Sequence, residues 1–130
     1  MILLDTHALV WALMQPELLS VPARDRIAAA PAWAISSASL YETRYKHRLG
    51  KWPAVARLAE PGALADLERL GIAVLAADGT IMDLAGGLER DHRDPFDRII
   101  LATAMLRDLP IVSKDATLDT GPAEAVVRVW

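Results

Sequence analysis

Five short apolar runs, separated by stretches with helical features, limit the folds available to this chain. The runs span residues 2–4, 32–35, 72–75, 111–113 and 125–130. Short, continuous apolar runs are typical of strands buried in a parallel sheet, whose faces are both covered by helices. Because these strands alternate with helices, we predict an α/β three-layer sandwich with a central, mainly parallel five-stranded sheet.

Turn and capping residues indicate where the intervening helices begin and end. Gly50 suits the C-terminus of the third helix. Ser39 and Glu42 have the spacing of a capping box. Thr80 is expected to cap a short helix that ends near Leu84. The predicted helices cover residues 7–14, 21–30, 36–49, 53–70 in one or two pieces, 80–84 and 94–106.

The composition favours one compact domain and restricts its chemistry. The 130 residues are 53% hydrophobic, and no linker divides them, so we expect a single domain over residues 1–130. The absence of Cys excludes disulfides, thiol catalysis and Fe–S ligation. His7, His47 and His92 are too widely spaced for a local zinc motif. Any metal would therefore have oxygen ligands.

The apolar residues give no sign of a membrane segment. No apolar run approaches the length that spans a bilayer. The N-terminal apolar run meets Asp5 at once and lacks the basic region of a signal peptide. We expect a cytoplasmic protein with no membrane partner.

Two acids flank Pro95 and Phe96 at the predicted start of the sixth helix. Asp94 is placed to cap this helix, and Pro95 fits its first turn. Asp97 lies one turn further along. Acids at a helix N-terminus are explained by capping and by the helix dipole, so these residues need further partners before they indicate a site.

Three more acids supply such partners. Asp5 directly follows the first predicted strand, Asp115 follows the fourth, and Glu42 lies in the helix after the second. Ligand sites in parallel sheets form beyond the carboxyl ends of the strands. Asp97 opens a helix that leads into a strand, so this rule supports its placement less directly. Taken singly, the other three could be a helix cap, a capping-box partner and a turn acid.

Asp5, Glu42, Asp97 and Asp115 together would repel one another unless a cation neutralised them. Carboxylates suit Mg²⁺ or Mn²⁺, which can activate water for attack on a phosphodiester. Asp94 is a peripheral member of this candidate metal site. Ser113 either holds a metal-bound water through its hydroxyl or is only the last residue of a strand.

The basic and aromatic residues could have either functional or structural roles. Arg44, Lys46, Arg48 and Lys51 either bind the phosphates of a nucleic acid or form a solvated helix face. Arg98 either joins Arg90 and Arg93 in a second basic group or pairs with a site acid. His7 and His92 are expected to have structural or phosphate-contacting roles. Trp11, Trp33 and Trp52 are expected in the core or an interface rather than in base stacking.

The successive motifs resemble those of PIN-domain proteins, and among these the VapC-type toxins of bacterial toxin–antitoxin pairs. The similarity covers essentially the whole chain, and its most specific piece is Asp94-Pro95-Phe96-Asp97-Arg98 after His92-Arg93. The other matching segments are residues 3–9, 36–42, 46–51 and 111–115. The fourth motif reads Ser-Lys-Asp where many relatives have Thr-Arg-Asp.

This resemblance implies a PIN-like sandwich with its acidic positions at Asp5, Glu42, Asp97 and Asp115. It implies Mg²⁺- or Mn²⁺-dependent endoribonuclease activity, a homodimer, and inhibition by a cognate VapB-type antitoxin, with a higher toxin–antitoxin assembly as a further possibility. The alternative hypothesis is a non-catalytic module that binds RNA or an antitoxin and retains the fold and the acids. Cleavage of RNA that is sensitive to EDTA separates the two.

Overall fold

The computed structural model describes residues 1–89, 94–119 and 126–130, and it confirms the alternation of strands and helices. The strands are β1 (Ile2–Leu4), β2 (Trp33–Ser36), β3 (Ile72–Leu75), β4 (Ile111–Val112) and β5 (Arg128–Val129). The α-helices in the described residues are α1 (Thr6–Met14), α2 (Val21–Ala29), α3 (Ser37–Arg48), α4 (Ala56–Ala59), α5 (Ala63–Arg69), α6 (Gly79–Gly87) and α7 (Pro95–Arg107).

The five strands form one parallel sheet in the order β3-β2-β1-β4-β5. The first strand therefore lies at the centre, with β2 and β4 on either side. Because all the strands point the same way, the residues that follow β1, β2 and β4 meet at one edge of the sheet.

Helices cover both faces of the sheet, as the continuous apolar strands predict. In β1, Ile2 and Leu4 pack into a core with residues of α1, α2 and α5, whereas Leu3 packs into a second core with α7. Successive strand residues point to opposite faces, so both sets are buried. The predicted three-layer α/β sandwich is confirmed.

Two predicted helix caps are wrong. Ser36, not Ser39, caps α3, and its hydroxyl accepts a hydrogen bond from the Ala38 N–H at 3.3 Å. The capping-box explanation of Glu42 therefore fails, because Ser39 already lies inside the helix. Likewise Asp78, not Thr80, caps α6 by accepting from the Ile81 N–H at 3.1 Å. In each case the helix is capped by the first side chain in the segment that can accept a hydrogen bond from a backbone N–H of the first turn.

Other boundaries shift by a few residues. Helix α6 continues to Gly87 rather than ending near Leu84, and β4 stops before Ser113. The final strand comprises Arg128–Val129 of the predicted run 125–130, whose first residue lies outside the described part of the chain. Gly50, with φ of +68°, follows the end of α3 as expected. None of the helices in the described residues is long and apolar enough to cross a membrane.

Candidate functional site

The four predicted acids line a single open pocket of about 380 Å³ at the carboxyl edge of the sheet. This includes Asp97, whose position the strand-end rule supported least. The first turn of α7 reaches the same edge and brings Asp94 with it. The residues around the pocket are Asp5, His7, Trp11, Glu42, Lys46, Asp94, Asp97, Lys114 and Asp115.

Two of the acids also cap helices. Asp5 caps α1 and accepts a hydrogen bond from the Ala8 N–H at 2.6 Å. Asp94 caps α7 and accepts from the Phe96 N–H at 2.9 Å. Capping and pocket lining are compatible, because a carboxylate has two oxygens with about four lone-pair sites and a capping hydrogen bond occupies one of them.

Glu42 is buried, with 2% of its surface exposed, and is held from two sides. Its Oε2 lies 2.5 Å from the Thr6 hydroxyl, which lies 3.0 Å from the hydroxyl of Ser39. Its Oε1 forms an ion pair with the Lys46 ammonium one turn later on α3. These contacts replace the water that the carboxylate loses on burial.

The carboxylate of Asp5 is less well compensated for its burial than that of Glu42. Desolvation raises the pKa of its carboxyl above the ordinary value, and the nearby charge of Glu42 acts in the same direction. Hydrogen bonds from Ser113 and the Ala8 N–H, and the charge of His7, oppose this rise. The folded protein therefore holds Asp5 in an environment that disfavours its ionised form.

Ser113 connects two of the acids. Its side chain is 1% exposed, hydrogen bonds to Asp5, and accepts from the Asp115 N–H at 3.1 Å. The Asp115 carboxylate in turn accepts from the Thr117 N–H at 2.9 Å. Ser113 thus orients the loop after β4, a role beyond that of a last strand residue.

The donor set consists of hard oxygen atoms, which suit Mg²⁺ or Mn²⁺. The expected four-carboxylate cluster shares one pocket but is not a closed cage, since no three acidic or His side chains in the described residues are close enough to surround an ion. Mg²⁺ commonly keeps several waters and takes one or two carboxylates plus substrate phosphates. The pocket fits that sparse mode of binding.

The basic residues of α3 do not form one surface. Lys46 lines the pocket, whereas Arg44 and Arg48 are exposed and each lies two residues from it. Two residues correspond to about 200° around a helix, so these arginines point away from the Lys46 side. Lys51 is exposed beyond the end of α3.

Arg98 lies beside α6 and is not among the residues that line the pocket. Its guanidinium donates to the carbonyl oxygens of Ala85 at 2.9 Å, Gly86 at 3.2 Å and Leu88 at 2.6 Å. These contacts favour an anchoring role. Arg90, His92 and Arg93 lie outside the described residues.

Sequence reasoning missed Lys114 and the role of Trp11 in this site. Lys114 adjoins Asp115 in the loop after β4, and its Nζ lies 5.8 Å from the centre of the Trp11 ring. Trp11 follows His7 by one helical turn, so both reach the pocket from the same face of α1. That spacing was the available signal. Trp33, in contrast, is half-buried, and its indole donates to the Ile27 carbonyl at 3.1 Å.

A model of the PIN domain family matches residues 2–121 of the chain. The chain belongs to the PIN domain family. PIN domains are generally nucleases, and PIN nucleases generally use divalent metal ions. No curated protein sequence matches the chain significantly.

Solved structures confirm that the fold of this PIN domain recurs across nearly its whole length. A toxin–antitoxin complex from Klebsiella pneumoniae is 19% identical, with a TM-score of 0.63 and coverage of 98% of this chain and 96% of the other. VapBC2 from Rickettsia felis, bound to a promoter DNA fragment, is 17% identical, with a TM-score of 0.67 and coverage of 98% and 97%. FitAB bound to a DNA fragment is 17% identical, with a TM-score of 0.62 and coverage of 98% and 93%.

Proposed function

We propose that this PIN domain is a metal-dependent endoribonuclease and the toxin of a type II toxin–antitoxin system. It hydrolyses RNA phosphodiester bonds with a water activated by Mg²⁺ or Mn²⁺. The observation that carries the proposal is the shared pocket of Asp5, Glu42, Asp97 and Asp115, since these residues lie far apart in the chain. Capping alone would not bring all four to one place.

Asp5, Glu42, Asp97 and Asp115 would hold the cation, one or two of them directly and the others through its bound waters, with Asp94 and Ser113 at the periphery. When bound, the cation supplies positive charge that lowers the pKa of water and stabilises the leaving oxygen. It would also relieve the unfavourable ionisation of Asp5, because a nearby positive charge favours the carboxylate. The need for this compensation supports the assignment.

The remaining charged residues have supporting roles. Thr6, which itself contacts Ser39, holds the carboxylate of Glu42 in place, and the Lys46 ammonium neutralises this carboxylate in the free protein. Lys46 is also the α3 cation best placed to meet a phosphate at the pocket. Arg44, Arg48 and Lys51 would contact the RNA backbone outside the pocket. Arg98 would contact it only while keeping its hydrogen bonds to α6.

The proposed biology follows the structural relatives. One of the similar structures is a toxin–antitoxin complex, and another is VapBC2 bound to a fragment of its promoter DNA. We propose a VapB-type antitoxin as partner, a homodimeric toxin formed from a single domain of residues 1–130, and a cytoplasmic location. Co-purification with the product of a neighbouring short gene, and the mass of the complex in solution, test these points.

The central test is cleavage of an RNA pool by the purified chain with Mg²⁺, with Mn²⁺ and with EDTA. We expect cleavage with either metal and none with EDTA. Asp97→Asn should lower the rate by at least about 100-fold, because several kcal/mol of transition-state stabilisation depend on the metal set. Its circular dichroism spectrum and Tm should show a folded protein.

Asp66→Asn is the matched control. Asp66 is an exposed acid on α5 that pairs with Arg69 and does not line the pocket. We expect this variant to cleave at the wild-type rate. Equal cleavage by Asp97→Asn would contradict the assigned site. Binding of RNA or antitoxin without any metal-dependent cleavage would instead support the non-catalytic module.

A further inference from the structure

Four rings form a continuous row beside the acids, which we call the aromatic row: Trp52, His7, Trp11 and Trp130. The His7 ring stacks on Trp52 with 4.5 Å between ring centres and 29° between planes. It also meets Trp11 at 5.5 Å, and Trp11 meets Trp130 at 5.5 Å. The row thus joins α1 to the segment after α3 and to the residue that follows β5.

One side of the aromatic row is fixed and the other is open. The three indoles are half-buried and pack against the core that β1 and α1 share. His7 is exposed, and both His7 and Trp11 line the acid pocket. A planar ligand can stack on an accessible ring surface that is held rigidly from behind. Because the rings are already ordered, they lose little conformational entropy when the ligand binds.

Both lysines of the pocket lie against rings of the row. Lys46 Nζ is 5.7 Å from the centre of the Trp52 ring, and Lys114 Nζ is 5.8 Å from that of Trp11. These are cation–π distances. Each ammonium ion is thus kept between an aromatic face and the acid pocket, on a flexible side chain that can move to a neighbouring anion.

We propose that the aromatic row is a nucleobase subsite, on which a base of single-stranded RNA stacks next to the cleaved phosphodiester. This inference rests on the proposed ribonuclease function and deepens it. The base takes an aromatic face, Lys114 moves from its ring to the adjoining phosphates, and Lys46 donates another of its three N–H groups to them while it stays paired with Glu42. Stacking on aromatic rings beside cations is a general way to hold single strands.

The charges favour a nucleotide over a protein segment as the occupant. Five carboxylates line the pocket and oppose an acidic peptide, whereas the two ammonium ions beside the rings oppose a basic one. A nucleotide presents a flat, uncharged base and a separate phosphate. It can therefore satisfy the rings and the lysines without placing a charge on either aromatic face.

The test compares two RNA probes that carry the same number of phosphates. One is a short oligoadenylate, and the other has the same backbone with abasic residues. Binding is measured by tryptophan fluorescence in the Asp97→Asn background with Mg²⁺, so that the strand stays intact. We expect the abasic probe to bind about 5- to 150-fold more weakly, the range that stacking of one base provides.

Trp11→Leu should weaken binding of oligoadenylate and bring the affinities of the two probes together. Trp33→Leu is the matched control, because Trp33 begins β2 at the opposite edge of the sheet; it should preserve the difference. His7 is exposed and its replacement does not disturb the core. His7→Leu should reduce the difference, and His7→Phe should restore it.

Equal binding of the two probes to the chain with an intact row overturns the subsite. So does an unchanged difference in both Trp11→Leu and His7→Leu. If Trp11→Leu and His7→Leu change the mass of the protein in solution or its binding to the antitoxin, but leave RNA affinity unaffected, the aromatic row is a protein interface. That result also overturns the nucleobase subsite. Failure of the ribonuclease proposal shows separately, as RNA that stays intact with the wild-type chain and metal.

Discussion

Asp97 and Arg98 are neighbours at the start of α7, and the structure uses their charges in opposite ways. Asp97 lines a pocket that gathers negative charge at one edge of the sheet. Arg98 turns to the end of α6 and donates to three carbonyl oxygens there. Carbonyls in the last turn of a helix lack partners within it, and positive charge is favoured at that end.

This contrast separates the pocket to which we assign the proposed chemistry from a contact that stabilises the fold. In the acid pocket, desolvation raises the pKa of Asp5, with a smaller contribution from the charge of Glu42, so the folded state is penalised for holding the carboxyl ionised. At the α6–α7 contact, the hydrogen bonds from Arg98 to three carbonyl oxygens favour folding. Substitutions in the acid pocket should therefore lower activity more than stability. Substitutions at the α6–α7 contact should lower stability more than activity.

Arg98→Ala should have the largest effect on stability. It removes charged hydrogen bonds to the Ala85, Gly86 and Leu88 carbonyls, and we expect the free energy of unfolding to fall by about 2–4 kcal/mol. Urea denaturation measures this change. Arg107→Ala, on the same helix, should cost less than about 1 kcal/mol, because its 3.8 Å ion pair with Asp78 is exposed. Equal losses of unfolding free energy in the two variants would contradict the anchoring role of Arg98.

Asp5→Asn should raise stability while abolishing cleavage. Asn caps helices as well as Asp does, so the main change is removal of a carboxylate whose ionisation the fold disfavours. Because the folded pKa lies above the unfolded one, the penalty is present at neutral pH. It disappears as the pH falls through the folded pKa towards 3.8.

Thermal unfolding in EDTA, from neutral pH to below 3.8, measures this effect without interference from bound metal. The Tm of Asp5→Asn should exceed that of the wild type at neutral pH, and the two should converge in acid. A lower Tm at neutral pH would mean that the hydrogen bonds to Ser113 and Ala8 outweigh the desolvation.

Asp119→Asn should have the smallest effect and the opposite sign. Hydrogen bonding to Arg128 lowers the pKa of Asp119, so the ionised form favours folding. That contribution is present above pH 3.8 and is lost as the pH falls through the lower folded pKa. The carboxylate is exposed, so added salt should reduce the difference in Tm between variant and wild type. A difference independent of salt would contradict an electrostatic origin.

Local patterns in the sequence predicted the sheet, most helix positions and the carboxylates of the acid pocket. Continuous apolar runs such as Ile72–Leu75 indicated buried parallel strands, and Asp94 and Pro95 marked the start of α7. The caps at Ser36 and Asp78 were missed, because several nearby side chains could cap equally well. Tertiary packing selected the first of them.

The sequence by itself determined which residues could form the site, because strand ends and helix starts are set by local periodicity and capping. Tertiary structure decided which charges meet. It brought the carboxylates of Asp5 and Glu42 close together, directed Arg98 to α6, and assembled the aromatic row from residues 7, 11, 52 and 130. Such contacts depend on the register and packing of distant segments, and no local pattern records them.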